Sequence, residues 1–215
     1  MQSDEHDLND QRAGKTPFWE LLYEDPDAEP FGPPSPEIVE MATTLPHGAV
    51  VLDLGCGDGR NTLCLAEHGL LVDAFDVSMA GVRKVRSRAR AAGVPVHAWV
   101  QDIATFSFRR EYDLVVAHGV LHMLPRDAWH RALDSLQRHT RPGGWNIVVV
   151  FTDRLPPPDD LAPYMRGLFR EEELLDRYRD WSVDRWEAYT LHDQHPGGVR
   201  HRHPVNKIVA RKPER

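Results

Sequence analysis

The chain has 215 residues, enough for one α/β domain with a full core, and its 26 basic and 33 acidic residues leave a formal charge of −7. That balance excludes the basic footprint of a nucleic-acid or anionic-membrane binder. Its two cysteines, Cys56 and Cys64, fit no disulfide framework or zinc spacing, and no apolar span or leader pattern stands out, so the expectation is a cytoplasmic protein with reduced, buried thiols.

Residues 1–16 are polar and acidic and read as a disordered tail. Residues 17–47 read as a helical arm: Phe18 to Tyr23 is amphipathic, a proline-rich passage follows, and Ser35 with Pro36 opens a helix through Ala42. This arm is either a lid over a ligand or a segment packed on the domain, and both readings stay open. Residues 48–212 form the main domain.

That domain opens with Val50-Val51-Leu52-Asp53-Leu54-Gly55-Cys56-Gly57-Asp58-Gly59-Arg60, a short buried strand running into alternating glycines, then a helix from Asn61 that stops at Gly69. Bare backbone at a helix start admits a ligand closely. Dinucleotide folds require G-x-G-x-x-G, whose third glycine is Arg60 here, and no Gly-Lys-Ser/Thr follows to make a phosphate loop. Leu70 to Val77 is the second strand; Asp76 at its carboxyl end suits the hydroxyls of a ribose, and Val77 shares that turn. Ser78 caps the next helix, with Val82, Val85, Ala89 and Ala92 buried, Gly93 as its stop, and Arg83, Lys84, Arg86, Arg88 and Arg90 on a solvated face.

Val94 to Val100 is the third strand. Asp102, followed by Ile103, is either a turn cap or an acceptor for an amino group. Tyr112 to Ala117 is the fourth strand, whose end, Ala117-His118-Gly119, faces the ligand edge. An Asn-Pro-Pro-Tyr sequence, the mark of nucleobase amino-methylation, is absent. Trp129, Ala132, Leu133 and Leu136 mark a helix that runs into the turn Arg141-Pro142-Gly143-Gly144, and Trp145 to Phe151 is a fifth, central strand. Glu171 to Tyr178 is a short helix, and Trp181 to Leu191 and Val205 to Arg211 close the chain as a hairpin. The alternation predicts a Rossmann-like, doubly wound, seven-stranded, mostly parallel sheet with an antiparallel last strand.

The hairpin turn carries His192, His195, His201 and His203 beside Arg200. An anion and acceptor site is preferred, in which Arg200 holds a negative oxygen while His192 or His195 removes or relays a proton. A metal site on His192, His195, His201 and His203, for a divalent ion, is the second reading. A solvated polar turn is the third.

Together Leu52 to Asn61, Gly143 to Val148 and the tail from Leu191-His192 to Lys212 resemble the tellurite-resistance (TehB-like) family of class I S-adenosylmethionine (SAM) methyltransferases over residues 17–212. The resemblance implies that SAM rests on Asp53, Gly55, Cys56, Gly57 and Gly59, with its ribose on Asp76 and Val77. Its adenine lies at Asp102 and Ile103, and its methyl group near Ala117 and His118. It implies methyl transfer to a small, soft or oxyanionic acceptor such as tellurite, selenite or a thiol, held by His192 and Arg200. The basic residue the family places after the histidine is Asp193 here, and the extra histidines suggest a different acceptor, an organic oxygen or nitrogen included. A SAM- or metal-binding protein without turnover is the rival from another class. Oligomeric state and acceptor identity are not legible.

Overall fold

Val50–Leu54 forms β1, whose alternating side chains serve two different cores: Val51 faces one side of the sheet, Leu52 and Leu54 the other. The computed structural model describes residues 17–25, 28–194 and 200–214. The disordered-tail expectation for 1–16 lies outside them. Around β1 stand β2 (Leu71–Asp76), β3 (Val96–Val100), β4 (Tyr112–His118), β5 (Thr140–Phe151), β6 (Ser182–Gln194) and β7 (Arg200–Arg211). They form one sheet in the order β3-β2-β1-β4-β5-β7-β6, parallel from β3 to β5. β7 is antiparallel to both its neighbours, so β6 runs with the parallel strands. This is the predicted doubly wound sheet.

Helices α1 (Phe18–Glu24), α2 (Pro36–Thr44), α3 (Arg60–Glu67), α4 (Met79–Ala92), α5 (Arg126–Arg138) and α6 (Glu173–Asp176) complete the chain. On one face Ile38 and Met41 of α2, Leu65 of α3, and Val82 and Val85 of α4 pack on Val51, Val72 and Val116. On the other, Trp129, Leu133 and Leu136 of α5 meet Leu52, Val115, Val148 and Ile208. Full burial of each such side chain contributes about 1.5–3 kcal/mol.

Ser78 caps α4 by accepting from the Gly81 N–H at 2.9 Å, and Gly93 ends that helix with φ 68°. Three local expectations need correction. Ala92 is exposed, because α4 is at its last turn there. Lys84 is buried and not solvated, since its ammonium donates to the Asp25 and Ala28 carbonyls. Residues 141–144 are an irregular stretch inside β5, where the register jumps from Tyr112 opposite Thr140 to Leu114 opposite Trp145. The Asn146 that contributes to the family motif is a core residue: its amide donates to Thr140 Oγ1 at 2.6 Å and its carbonyl accepts from the Tyr178 hydroxyl at 3.0 Å.

Candidate functional site

The carboxyl ends of β1, β2 and β4 bring the predicted ligand residues to one edge. The loop after β1 takes positive φ at Gly55 (71°) and Gly57 (54°), a region that L side chains avoid. Both glycines are also crowded: a Cβ on Gly55 would lie 2.5 Å from Val120 Cγ2, and one on Gly57 would lie 2.7 Å from the Tyr23 hydroxyl. Gly55 and Cys56 donate their N–H groups to the Phe75 carbonyl, locking the loop to the end of β2.

Asp76 ties the loop to the next helix. Its Oδ2 accepts from Gly57 N at 2.9 Å and its Oδ1 from Ser78 N at 2.9 Å, so the carboxylate is oriented by two backbone donors. Asp53 is buried on the α2–α4 side and accepts from Thr62 Oγ1 at 2.6 Å. Burial pushes its carboxyl up to about 6, against the pull of the Thr62 hydroxyl. It braces the start of α3 and is a positioning group. Cys56 is a buried free thiol, raised well above its usual range by burial and then by Asp76. Val77 is partly exposed at the same turn. Asp102 caps a 3-10 turn by accepting from Ala104 N at 2.8 Å, which leaves its second oxygen for another donor. Past that turn, between it and α5, a cavity of about 390 Å³ is lined by Leu54, Ile103, Phe106, Arg131, Asp134 and Arg138, and not by Asp102, Asp76 or the glycine loop.

Over the glycine loop lies the arm. Tyr23 is buried, with its hydroxyl above Gly57 and its ring edge-on to Phe31. Burial first, then the nearby carboxylates of Asp76 and Asp58, raise that phenol. The arm is held from below by side chains that reach its carbonyls: Lys84 and Arg88 of α4 at Ala28, and Arg60 of α3 at Phe31 and Pro33. Ser35 does stand at the cap position of α2, but its hydroxyl makes no cap hydrogen bond and instead meets His118 Nε2 at 2.9 Å. Beside it Glu37, 2% exposed, lies 3.2 Å from the same His118 nitrogen and 3.0 Å from Lys207 Nζ, which also reaches Glu187. Burial would raise the Glu37 carboxyl, but the bonds from His118 and Lys207 hold it down at about 2. Ala117, fully buried, precedes His118 at the end of β4.

The hairpin differs from its predicted form. β6 continues to Gln194 and β7 begins at Arg200, so His192, His201 and His203 sit on paired strands and not in a turn. Opposite pairing puts His192 with Arg202 on one face, where Arg200 also lies two residues along β7, and Leu191 with His203 and Asp193 with His201 on the other. His192 and Arg200 thus share a face and both are exposed. His201 and His203 are buried on the opposite face, His201 against Asp160 at 3.1 Å and His203 stacked on Phe151. Strand alternation separates His192 from His201 and His203, and His195 lies outside the described residues. Among the described residues no group of three His, Cys, Asp or Glu is placed to hold a metal. Nor is any described helix long and apolar enough to cross a membrane.

Tyr23, Glu37 and Lys207 escaped the sequence reading. Aromatics in the arm hinted at docking, but nothing local in Pro36-Glu37-Ile38 announces a buried carboxylate, because its partners lie 81 and 170 residues away.

Comparison with known proteins agrees with this geometry. A crystal structure of TehB from Haemophilus influenzae superposes with a TM-score of 0.74 at 26% identity, covering 83% of this chain and 62% of that one. A probable S-adenosyl-L-methionine-dependent methyltransferase TehB of the same organism is 30% identical over 75% of this chain and 57% of its own length. A 2-heptyl-1-hydroxyquinolin-4(1H)-one methyltransferase from Mycobacteroides abscessus is 28% identical over 72% of this chain and 68% of its own. Across three curated relatives the chain spans between 45% and 63% of their length. The family model described as tellurite resistance protein TehB matches residues 32–202, which include the glycine loop, the Asp76 turn, the end of β4 and most of the hairpin. With that span and that sheet, the chain belongs to the TehB family.

Proposed function

We propose that this chain is a SAM-dependent methyltransferase acting on a small molecule that carries a soft nucleophile, a thiol or a selenium or tellurium species. The observation that supports it most is the coupling of Asp76 to the glycine loop: an oriented carboxylate at the carboxyl end of β2, beside bare backbone at the carboxyl end of β1. The residues present fit the donor. Asp76 suits ribose hydroxyls, Asp102 suits an adenine amino group, and the glycines of the loop contribute no side chain of their own. SAM, when bound, supplies an electrophilic methyl group on a sulfonium. The chain's own work is then alignment and exclusion of water, which is worth on the order of 7–11 kcal/mol in well-oriented reactions. The arm, pinned by Lys84, Arg60 and Arg88, is the roof of the donor site, and Tyr23 closes it above Gly57. His192 and Arg200, on the exposed face of the hairpin beyond the sheet edge, meet the acceptor as it enters, before it reaches the methyl group.

A second reading keeps the donor and makes the acceptor an organic hydroxyl. It is favoured by the hydroxyquinolone methyltransferase among the relatives and by Asp193, which puts an acidic residue beside His192. Calorimetric titration with SAM and with S-adenosylhomocysteine tests what both readings share. Micromolar binding is expected, and no measurable affinity for either overturns them. A panel of tellurite, selenite, dithiothreitol and 2-heptyl-1-hydroxyquinolin-4(1H)-one then separates the acceptors.

A further inference from the structure

We propose that His118 is the general base that takes the proton of the acceptor, and that Glu37 is the residue that positions it. The inference rests on the methyltransferase reading and narrows its acceptor to a group that carries a proton, a thiol or a hydroxyl.

His118 ends β4 at the carboxyl edge, two residues before the Val120 side chain that presses on Gly55. Its neighbours Ser35 and Arg60 border the same loop, for Ser35 donates its N–H to Asn61 Oδ1 at the start of α3. The ring is therefore beside the donor platform. The Nε2 atom faces the Glu37 carboxylate at 3.2 Å and the Ser35 hydroxyl at 2.9 Å. A lone pair aimed at a carboxylate is repelled, so Nε2 carries the hydrogen and Nδ1 keeps its lone pair. No described residue makes a hydrogen bond to Nδ1, and the side chain remains 17% exposed, so the ring has an open edge.

Glu37 cannot turn away, because Lys207 holds its other oxygen at 3.0 Å and is itself held by Glu187. The charged groups around the ring are Glu37 from α2, Arg60 from α3 and Lys207 from β7. Burial keeps the imidazole below its ordinary value, so it is neutral and basic at pH 7, while Glu37 stabilises the cation formed on reaction. Hydrogen bonding of this kind fixes a tautomer and a ring orientation at once.

In the step itself the acceptor's O–H or S–H bond breaks and its proton goes to His118 Nδ1. The acceptor's electron pair forms the bond to the methyl carbon, the carbon–sulfonium bond breaks, and its pair stays on the donor sulfur. The proton then leaves His118 for solvent.

The test uses the full chain in single-turnover methyl transfer to two probes, dithiothreitol, protonated at pH 7, and 4-nitrothiophenolate, already ionised. H118Q is expected to lose about 100-fold or more on dithiothreitol, in the range of general-base effects, and at least tenfold less on the thiolate. E37Q is expected to lose about tenfold on dithiothreitol and to move the acidic limb of the pH–rate profile to lower pH, since the carboxylate that raises the imidazole is gone. Nitrogen NMR of the wild-type ring should show hydrogen on Nε2. Equal losses on both probes, an unmoved limb in E37Q, or hydrogen on Nδ1 would each overturn the assignment. Transfer to neither probe by a SAM-binding wild type overturns the acceptor class, whereas absence of SAM binding overturns the methyltransferase reading on which it stands.

Discussion

The glycine loop and the β6–β7 hairpin lie at the same edge of one sheet, yet they are held in different ways. In the loop every turn is clamped by neighbours: Phe75 takes two N–H groups, Asp76 a third, and Val120 and Tyr23 fill the space that side chains would need. The hairpin outruns its support. β5 last pairs with β7 at Phe151 opposite Val205, while β6 and β7 continue together to Gln194 opposite Arg200. One region is clamped on every side, the other is packed on the His201–His203 face and open on the His192 face, so a substitution should be felt as geometry in the first and, on that open face, as surface chemistry in the second.

The largest expected effect is in the loop. Gly55→Val adds a branched side chain at φ 71° against Val120 and should cost about 3 kcal/mol or more, read as a lowered thermal midpoint. A loss under about 1 kcal/mol would mean that the loop yields as readily as the hairpin, and the contrast would break.

Next comes the acid response of the buried ion pairs beneath the arm. Glu37 has its native value depressed from 4.5 to about 2, so its contribution is present above pH 4.5 and lost as pH falls towards 2. Two and a half units correspond to about 3 kcal/mol at 1.36 kcal/mol per unit. The difference in unfolding free energy between wild type and Glu37→Gln, followed by denaturant titration from pH 6 to pH 2.5, should shrink by a large part of that amount. A difference that stays constant would place Glu37 outside the ion pairs described.

Asp76→Ala should weaken SAM binding ten- to a hundredfold, because it removes a charged acceptor and frees the Gly57 N–H. Calorimetry that finds the affinity unchanged would sharpen the comparison differently, by making Asp76 a brace of the loop with no ligand role. Smallest is His192→Ala on the exposed face of β6. Its stability should change by less than about 0.5 kcal/mol and SAM affinity by less than about twofold, while turnover falls. Weakened SAM binding in that variant would tie the hairpin to the donor site.

The succession of strands and helices along the chain, the glycine loop and the place of Asp76 were legible because each depends on residues a few positions apart: periodicity, turn glycines and a carboxylate one βαβ unit downstream. The cap at Ser78 was legible for the same reason. Ser35 was only half legible: its place before Pro36 marked the helix start, but its hydroxyl went to His118, a partner 83 residues on that no local pattern reveals.

What the amino-acid sequence determined by itself, then, is the doubly wound sheet and the glycine loop at its carboxyl edge, since short-range sterics and hydrogen bonding specify both. What only the tertiary structure decided is the fate of the charged and imidazole side chains. Register on the hairpin put His201 and His203 on the opposite face from His192. Packing of α2 on β4 and β7 brought Glu37 between His118 and Lys207. The physical reason is common to both: the face a strand residue occupies, and the charge it meets when buried, are set by partners distant in the chain.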